Sequence, residues 1–290
     1  MNDTIYLRAE RLFIAEDFTP LFHTSEYSLL TGAARLRYNQ LHALYFNEQV
    51  ALFEQELLSP ALRALARMVL PPALAAGLRE FYEDEQRHTR MFRELNRRCA
   101  PEIYARGDYF FVRVPLVWRV AMRLVSSQPR IFPLLLWLAL MQEERSLFYS
   151  KGCLEQATLL EPQFVAAHRA HLADEVGHVA WDEELLDWLW PRTALILRAA
   201  NAHLLNWLVG ELFLLPKRSG WRVVEQLVRE FPQLDSEALR RAMSGLGANV
   251  AYVRTLYSRA ITPRTFARFD RHPEFALLAR TLPGYIASPA

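Results

Sequence analysis

His168-Arg169-Ala170-His171-Leu172-Ala173-Asp174-Glu175-Val176-Gly177-His178, HRAHLADEVGH, holds three of the chain's eight histidines and two adjacent acids. At about 100° per residue, His171, Glu175 and His178 fall near 0°, 40° and −20° around a helix, on one face. The second half of the stretch has the form D-E-x-x-H, and the same form occurs at Asp84-Glu85-Gln86-Arg87-His88. With 23 Glu and 8 His in 290 residues, chance gives about 0.6 E-x-x-H pairs. Two, each led by Asp, exceed coincidence. Residues i and i+3 are neighbours on a helix surface, so each Glu and His can address one ion from the same side.

The surrounding sequence supports helices for both copies. Glycines number only 10, β-branched runs are scarce, and Leu, Ala, Arg and Glu recur at helical spacing. The pattern predicts helices at about 32–58, 71–99, 115–125, 129–152, 162–190, 191–215, 220–230 and 236–261, several opened by proline where a helix tolerates it. Short connections pair 32–58 with 71–99 and 129–152 with 162–190. The expected fold is therefore all-α: a four-helix bundle core over about 32–190, within one domain spanning 1–290. Residues 100–128 would cross between the pairs, and the first thirty residues and those after 191 would cover the bundle.

Composition narrows the function class. A hydrophobic fraction of 52% can build a large core and excludes a disordered or fibrous chain. The 34 basic and 32 acidic residues are interspersed, leaving no footprint for nucleic acid. Cys99 and Cys153 form no CxxC or paired framework, which fits reduced thiols. The opening MNDTIYLRAERLF carries acids where a signal peptide carries basic and apolar segments. The apolar run 131–141, IFPLLLWLALM, is too short to cross a bilayer. A cytoplasmic protein without a membrane span is expected.

Two D-E-x-x-H helices, plus one Glu from each of the other two, make a di-iron carboxylate centre. On the first helix, Glu48 and Glu54 both have apolar neighbours. If the helix ends at 58, Glu48 lies about 15 Å from the hairpin end, Glu85 about 20 Å and Glu54 about 6 Å, which favours Glu48. On the third helix, Trp137, Leu140, Met141, Leu147 and Phe148 surround Glu144, whereas Glu143 faces Ser146 and Ser150. Glu144 is favoured, although one step of about 100° separates the two. Two divalent irons would balance four buried carboxylates. Asp84 and Asp174 fit the role of a carboxylate that receives a ligand histidine's outer N–H; for Asp84, ion pairing with Arg87 is the competing role. His168 is read as a bystander. Residues one turn from the ligands, Tyr45, Asn47, Phe148 and Trp181, are candidates to line a substrate pocket, with core packing as the alternative for the aromatic ones.

With Glu48, Glu85/His88, Glu144 and His171-x-x-x-Glu175-x-x-His178 in order, the chain resembles the non-haem di-iron N-oxygenases typified by p-aminobenzoate N-oxygenase. The third histidine, His171, distinguishes that family from many ferritin-like di-iron proteins. The resemblance implies a ferritin-like di-iron monooxygenase in which those seven residues hold two iron ions. With O2 as co-substrate and an external electron donor, it would convert an amine to hydroxylamine, nitroso or nitro products in specialised-metabolite biosynthesis. The amine, aromatic or aliphatic, would be free or tethered to a carrier protein, and a homodimer is compatible with this reading. A di-iron C–H hydroxylase or desaturase on the same bundle, and a non-enzymatic iron-binding helical protein, are the competing functions.

Overall fold

The computed structural model describes residues 10–214 and 218–285, and helices dominate. Among the described residues there is no β-strand, only an isolated bridge between Leu12 and Leu160, and no helix is long and apolar enough to cross a membrane.

Four long helices form the bundle. Helix α1 (Gly32–Phe53) starts where the Thr31 side chain accepts the Ala34 N–H at 3.3 Å, meeting one of the unpaired donors of its first turn. It does not stop at the expected position. A π-helical turn, Glu54–Leu58, carries the chain without a break into α2 (Ser59–Leu65). Helix α3 (Pro72–Cys99) has Pro72 in its first turn and ends just before Pro101. Helix α4 (Leu116–Ser126) belongs to the crossing segment. Helices α5 (Leu134–Glu155) and α6 (Pro162–Leu189) complete the core.

The packing order runs α1, α3, α6, α5, with the π-helical turn also against α5 and α4. α1/α3 and α5/α6 are therefore antiparallel pairs, joined through α3 and α6. The remaining segments cover them. Asn39 takes the Phe13 N–H at 2.8 Å and donates to the Ile14 carbonyl at 2.8 Å, fastening the N-terminal segment to α1. Asn201, on α7 (Leu195–Leu208), accepts from Leu134 N at 3.2 Å and donates to Ile131 O, fixing the start of α5. The helix expected at 236–261 is broken: α9 (Ser236–Gly245) and α10 (Val250–Leu256) follow α8 (Arg218–Glu230) as separate pieces. The Asn249 side chain caps a new start by accepting from Tyr252 N. A further short helix, α11 (Pro263–Phe269), closes over the bundle. Of the segments read from sequence, residues 1–9, 215–217 and 286–290 lie outside the described residues.

Candidate metal centre

Helices α3 and α6 bring the two D-E-x-x-H motifs face to face. One potential ligand atom from each of Glu85, His88, Glu175 and His178 lies within 4.8 Å of the others, and all four side chains are buried. His178 Nδ1 is 3.0 Å from Glu85 Oε1 and 3.7 Å from Glu175 Oε1. His88 Nδ1 is 3.5 Å from Glu175 Oε1 and 3.9 Å from Glu85 Oε1. Both rings turn Nδ1 inward and send Nε2 to the aspartate on the opposite helix: His88 to Asp174 at 2.9 Å, His178 to Asp84 at 3.4 Å. Arg87 bridges the two aspartates, 2.7 Å from Asp84 and 2.8 Å from Asp174. Asp84 therefore makes both of the contacts weighed for it.

A second buried group, Glu54, His88 and His171, adjoins the first. His171 Nε2 is 2.6 Å from Glu175 Oε1 and 3.7 Å from Glu54 Oε1, and its Nδ1 is 3.1 Å from Ser146 Oγ. The other Glu54 oxygen accepts from Thr89 Oγ1 at 2.8 Å. Each of the three rings thus points one nitrogen at the carboxylates and ties the other to an oxygen outside the cluster, the arrangement that orients a metal-ligating histidine. His168 is buried beside Ser150 at 3.3 Å and belongs to neither group.

Two expected residues lie elsewhere. Glu48 accepts the N–H groups of Phe110 (2.9 Å), Phe111 (3.0 Å) and Val112 (2.7 Å), and the Tyr104 hydroxyl at 2.7 Å. It pins the crossing segment to α1. The expected heights took the helix to end at 58: because the chain stays helical to Leu65, Glu54 is about 16 Å from the end of the hairpin arm, near the height of Glu85. Glu144 likewise accepts Arg264 N and Thr265 N, both at 2.8 Å, and caps α11. Its neighbour Glu143 is buried and lines a cavity with Glu54 and His171. The apolar neighbours of Glu144 are those of a core-facing acid satisfied by backbone donors.

The substrate-pocket candidates move with them. The cavity beside the cluster is lined on α1 by Phe46, Gln49, Val50 and Phe53, one helical face at i, i+3, i+4 and i+7 that leads to Glu54. None of the four candidates lines it. Tyr45 packs on His42 and Phe111, and Asn47 donates to Asn96 Oδ1 at 2.8 Å; both were placed by their nearness to Glu48. Phe148 packs near Phe18 and Tyr149. Trp181 stacks behind His178 and Phe81. From α5, Gln142, Arg145 and Ser146 also face the cavity, as does Phe213 from the π-helical extension of α7. A face leading to Glu54 was available from sequence once the helix end was placed correctly.

The electrostatics match a cation site. Burial is costly for carboxylates unless they are paired or metal-bound, yet Glu85 and Glu175, and Nδ1 of His88 and His178, find no hydrogen-bond partner outside the cluster among the described residues, only close approaches within it. Burial, with Glu85 next, raises the Glu54 pKa well above the carboxylate range. Burial works against a charged His178, but Glu175 and Glu85 outweigh it and push the ring up to about 11. Burial and the neighbouring His88 drive His171 well below the usual imidazole range. Glu54 and His178 thus favour a proton that a bound cation would have to displace.

The p-aminobenzoate N-oxygenase AurF family model matches residues 2–254. The chain belongs to that family. No curated protein matches it. Membership makes the chain an enzyme of the di-iron N-oxygenase class, and its buried His/Glu cluster is a group that could hold such a centre.

Proposed function

We propose that the chain uses two iron ions, O2 and two external electrons to oxidise an amine, RNH2 + O2 + 2e⁻ + 2H⁺ giving RNHOH + H2O as the first product. The irons would be held by Glu54, Glu85, His88, Glu143, His171, Glu175 and His178. The observation that carries this reading is the pair of buried carboxylates, Glu85 and Glu175, whose only ion-pair partners among the described residues are the inward-facing histidines of the cluster, in a chain of the N-oxygenase family.

The donor set suits iron, since imidazole and carboxylate ligands accept it without the thiolates that would favour softer ions. Four carboxylates offset the four charges of two ferrous ions, leaving the core near neutrality. When bound, such a pair supplies the reduction of O2 and the transfer of one oxygen atom to nitrogen. The chain's own residues do the rest. Asp174, Asp84 and Ser146 orient the three rings; Phe46, Val50, Phe53 and Phe213 offer an apolar wall that holds the amine and limits water. Glu143 enters the set because it is buried and lines the cavity shared by Glu54 and His171.

The test is anaerobic ferrous loading with metal analysis, followed by O2 and a panel of amines with products read by mass. Two irons per chain and oxygen added at nitrogen are expected. Far fewer than two irons would overturn the di-iron reading, and oxygen added only at carbon would replace N-oxygenation with C–H hydroxylation.

A further inference from the structure

Helix α4 turns an apolar stripe outward. Of the 17 large hydrophobic side chains that stand exposed among the described residues, six lie in residues 116–131. Leu116, Val120, Leu124 and Val117 fall within about 100° of one another around α4, and with Trp118 they are 47% to 75% exposed. Single exposed apolar residues are ordinary, whereas a cluster of this kind marks an interaction site. The orientation is fixed from beneath: Arg119 and Arg123, along one edge of the stripe, reach back to the fully buried Glu56 at 2.5 Å each. Turning α4 over to bury the stripe would leave that carboxylate without its counter-charges.

Charge decides what covers the face. Residues 106–131 hold five arginines and one acid, a net of +4 in a chain whose total is +2. The acid, Asp108, is taken by Arg93 and Arg97 on α3. Arg106, Arg113 and Arg130 are exposed and have no ion-pair partner among the described residues. A second copy docked about a two-fold axis would set this positive rim against itself, with no free acid in the segment to pair it. Lipid phosphates supply the missing charge.

We infer that α4 is a membrane-surface anchor for an anionic bilayer. Leu116, Val117, Val120 and Leu124 enter the acyl boundary, Trp118 sits at the interface, and Arg113 and Arg130 meet lipid phosphates. At 11 residues, α4 is about 16 Å long, too short for a hydrocarbon core of about 30 Å. It therefore lies flat, at the depth of about 5–10 Å typical of interfacial helices, where apolar burial and attraction to anionic lipid add to each other. The anchor depends on neither iron nor amine.

The test is co-sedimentation of the full chain with phosphatidylcholine vesicles, with and without about one-third phosphatidylglycerol. Binding should be at least about tenfold tighter to the anionic vesicles and should weaken as salt is raised. Arg113→Gln and Arg130→Gln should each lower it about fivefold, and the double variant Leu116→Ser, Val120→Ser at least about tenfold. Leu29→Ser and Val69→Ser, at positions 81% and 92% exposed elsewhere on the surface, should change nothing. Brominated lipid should quench tryptophan fluorescence, and Trp118→Phe should remove most of that quenching. The substituted side chains are all exposed, where changes disturb folding little, and circular dichroism with thermal melting verifies each variant. Wild type that ignores anionic vesicles, or binding that survives in the folded double variant, would overturn the inference. So would a lipid-free dimer, seen by light scattering, that the double variant splits, because the face would then belong to a second copy.

Discussion

The proposed metal centre is built from two unlike halves. Helices α3 and α6 each contribute a Glu and a His three residues apart, backed by an Asp that serves the opposite helix. The π-helical end of α1 and helix α5 would contribute lone acids, and each helix also carries a second buried Glu that pins a covering segment through backbone N–H groups. An internal spacing defines its own face, whereas a lone acid acquires its role from where its helix ends and what lies over it. The strongest way to break this contrast is substitution in both halves. Glu175→Ala or His178→Ala should abolish stable iron loading and activity. Glu54→Ala and Glu143→Ala should also leave fewer than two irons per chain, whereas folded Glu48→Gln and Glu144→Gln should still bind two. Normal loading of Glu54→Ala, with loss in Glu48→Gln, would reverse the assignment of α1.

That contrast also explains what was legible. The all-helical bundle follows from periodicity and proline placement, and Glu85, His88, His171, Glu175 and His178 follow from spacings that tolerate errors of several residues at helix ends. The case for Glu54 was hidden because the π-helical turn Glu54–Leu58 carries the helix on through Ser59-Pro60 to Leu65, which changes every height measured from the hairpin. Such turns insert a residue and often accompany functional sites. Glu56 shows a further effect: two residues from Glu54 it is also fully buried, but toward α4, where Arg119 and Arg123 donate to it at 2.5 Å. Burial of an acid on an apolar stripe therefore identifies an unmet need for donors, which arginine, backbone or metal can each meet. Backbone meets it for Glu144; for Glu143 a metal is proposed.

Within the motif half, the two aspartates should be unequal. Asp174 holds His88 at 2.9 Å, and Asp84 holds His178 at 3.4 Å. Loss of such an orienting carboxylate typically lowers metal affinity 10- to 100-fold. Asp174→Asn is expected in the upper part of that range and Asp84→Asn in the lower, by competition with a chelator of known affinity. Equal losses would show that Arg87, which touches both aspartates, couples them into one unit.

A smaller effect concerns protons. In the metal-free protein, His178 has a pKa of about 11 against an ordinary 6.5, so the folded state holds a proton that the unfolded state has released by pH 7. Glu54 and Glu175 are shifted upward as well, by burial first. Groups raised in this way stabilise the fold fully below their unfolded pKa and lose that contribution as pH climbs through the folded value. Metal-free protein should therefore lose stability from pH 7 to 9, by about 1.4 kcal/mol per unit for each extra proton held. The iron-loaded protein should show a flatter profile, because the metal has displaced those protons, and loading near pH 7 should release them, as measured by calorimetry in buffers of different ionisation enthalpy. A metal-free melting profile flat from pH 7 to 9 would count against a protonated cluster.

The smallest expected difference is in packing behind the two halves. Gly77 on α3 lies against Trp181, where an added Cβ would overlap the indole Nε1 and come within 2.9 Å of Cε2. Gly152 on α5 lies against Phe18, where a Cβ would come within 2.5 Å of Cζ. Alanine gains about 1 kcal/mol over glycine in a helix interior, while overpacking costs about 1–3 kcal/mol, so the sign depends on which ring can retreat. Trp181 is stacked on Phe81 and His178 and cannot move without disturbing a ring of the metal cluster. Phe18 sits at the end of a three-residue 3₁₀ turn beside Phe148, which is 38% exposed, so it has somewhere to go. Gly77→Ala should destabilise by about 1–2 kcal/mol and weaken loading, and Gly152→Ala should stay within about 0.5 kcal/mol of wild type with loading intact. Denaturant unfolding and iron titration of the two variants measure this directly, and a neutral Gly77→Ala with unaltered loading would show that Trp181 does not brace His178.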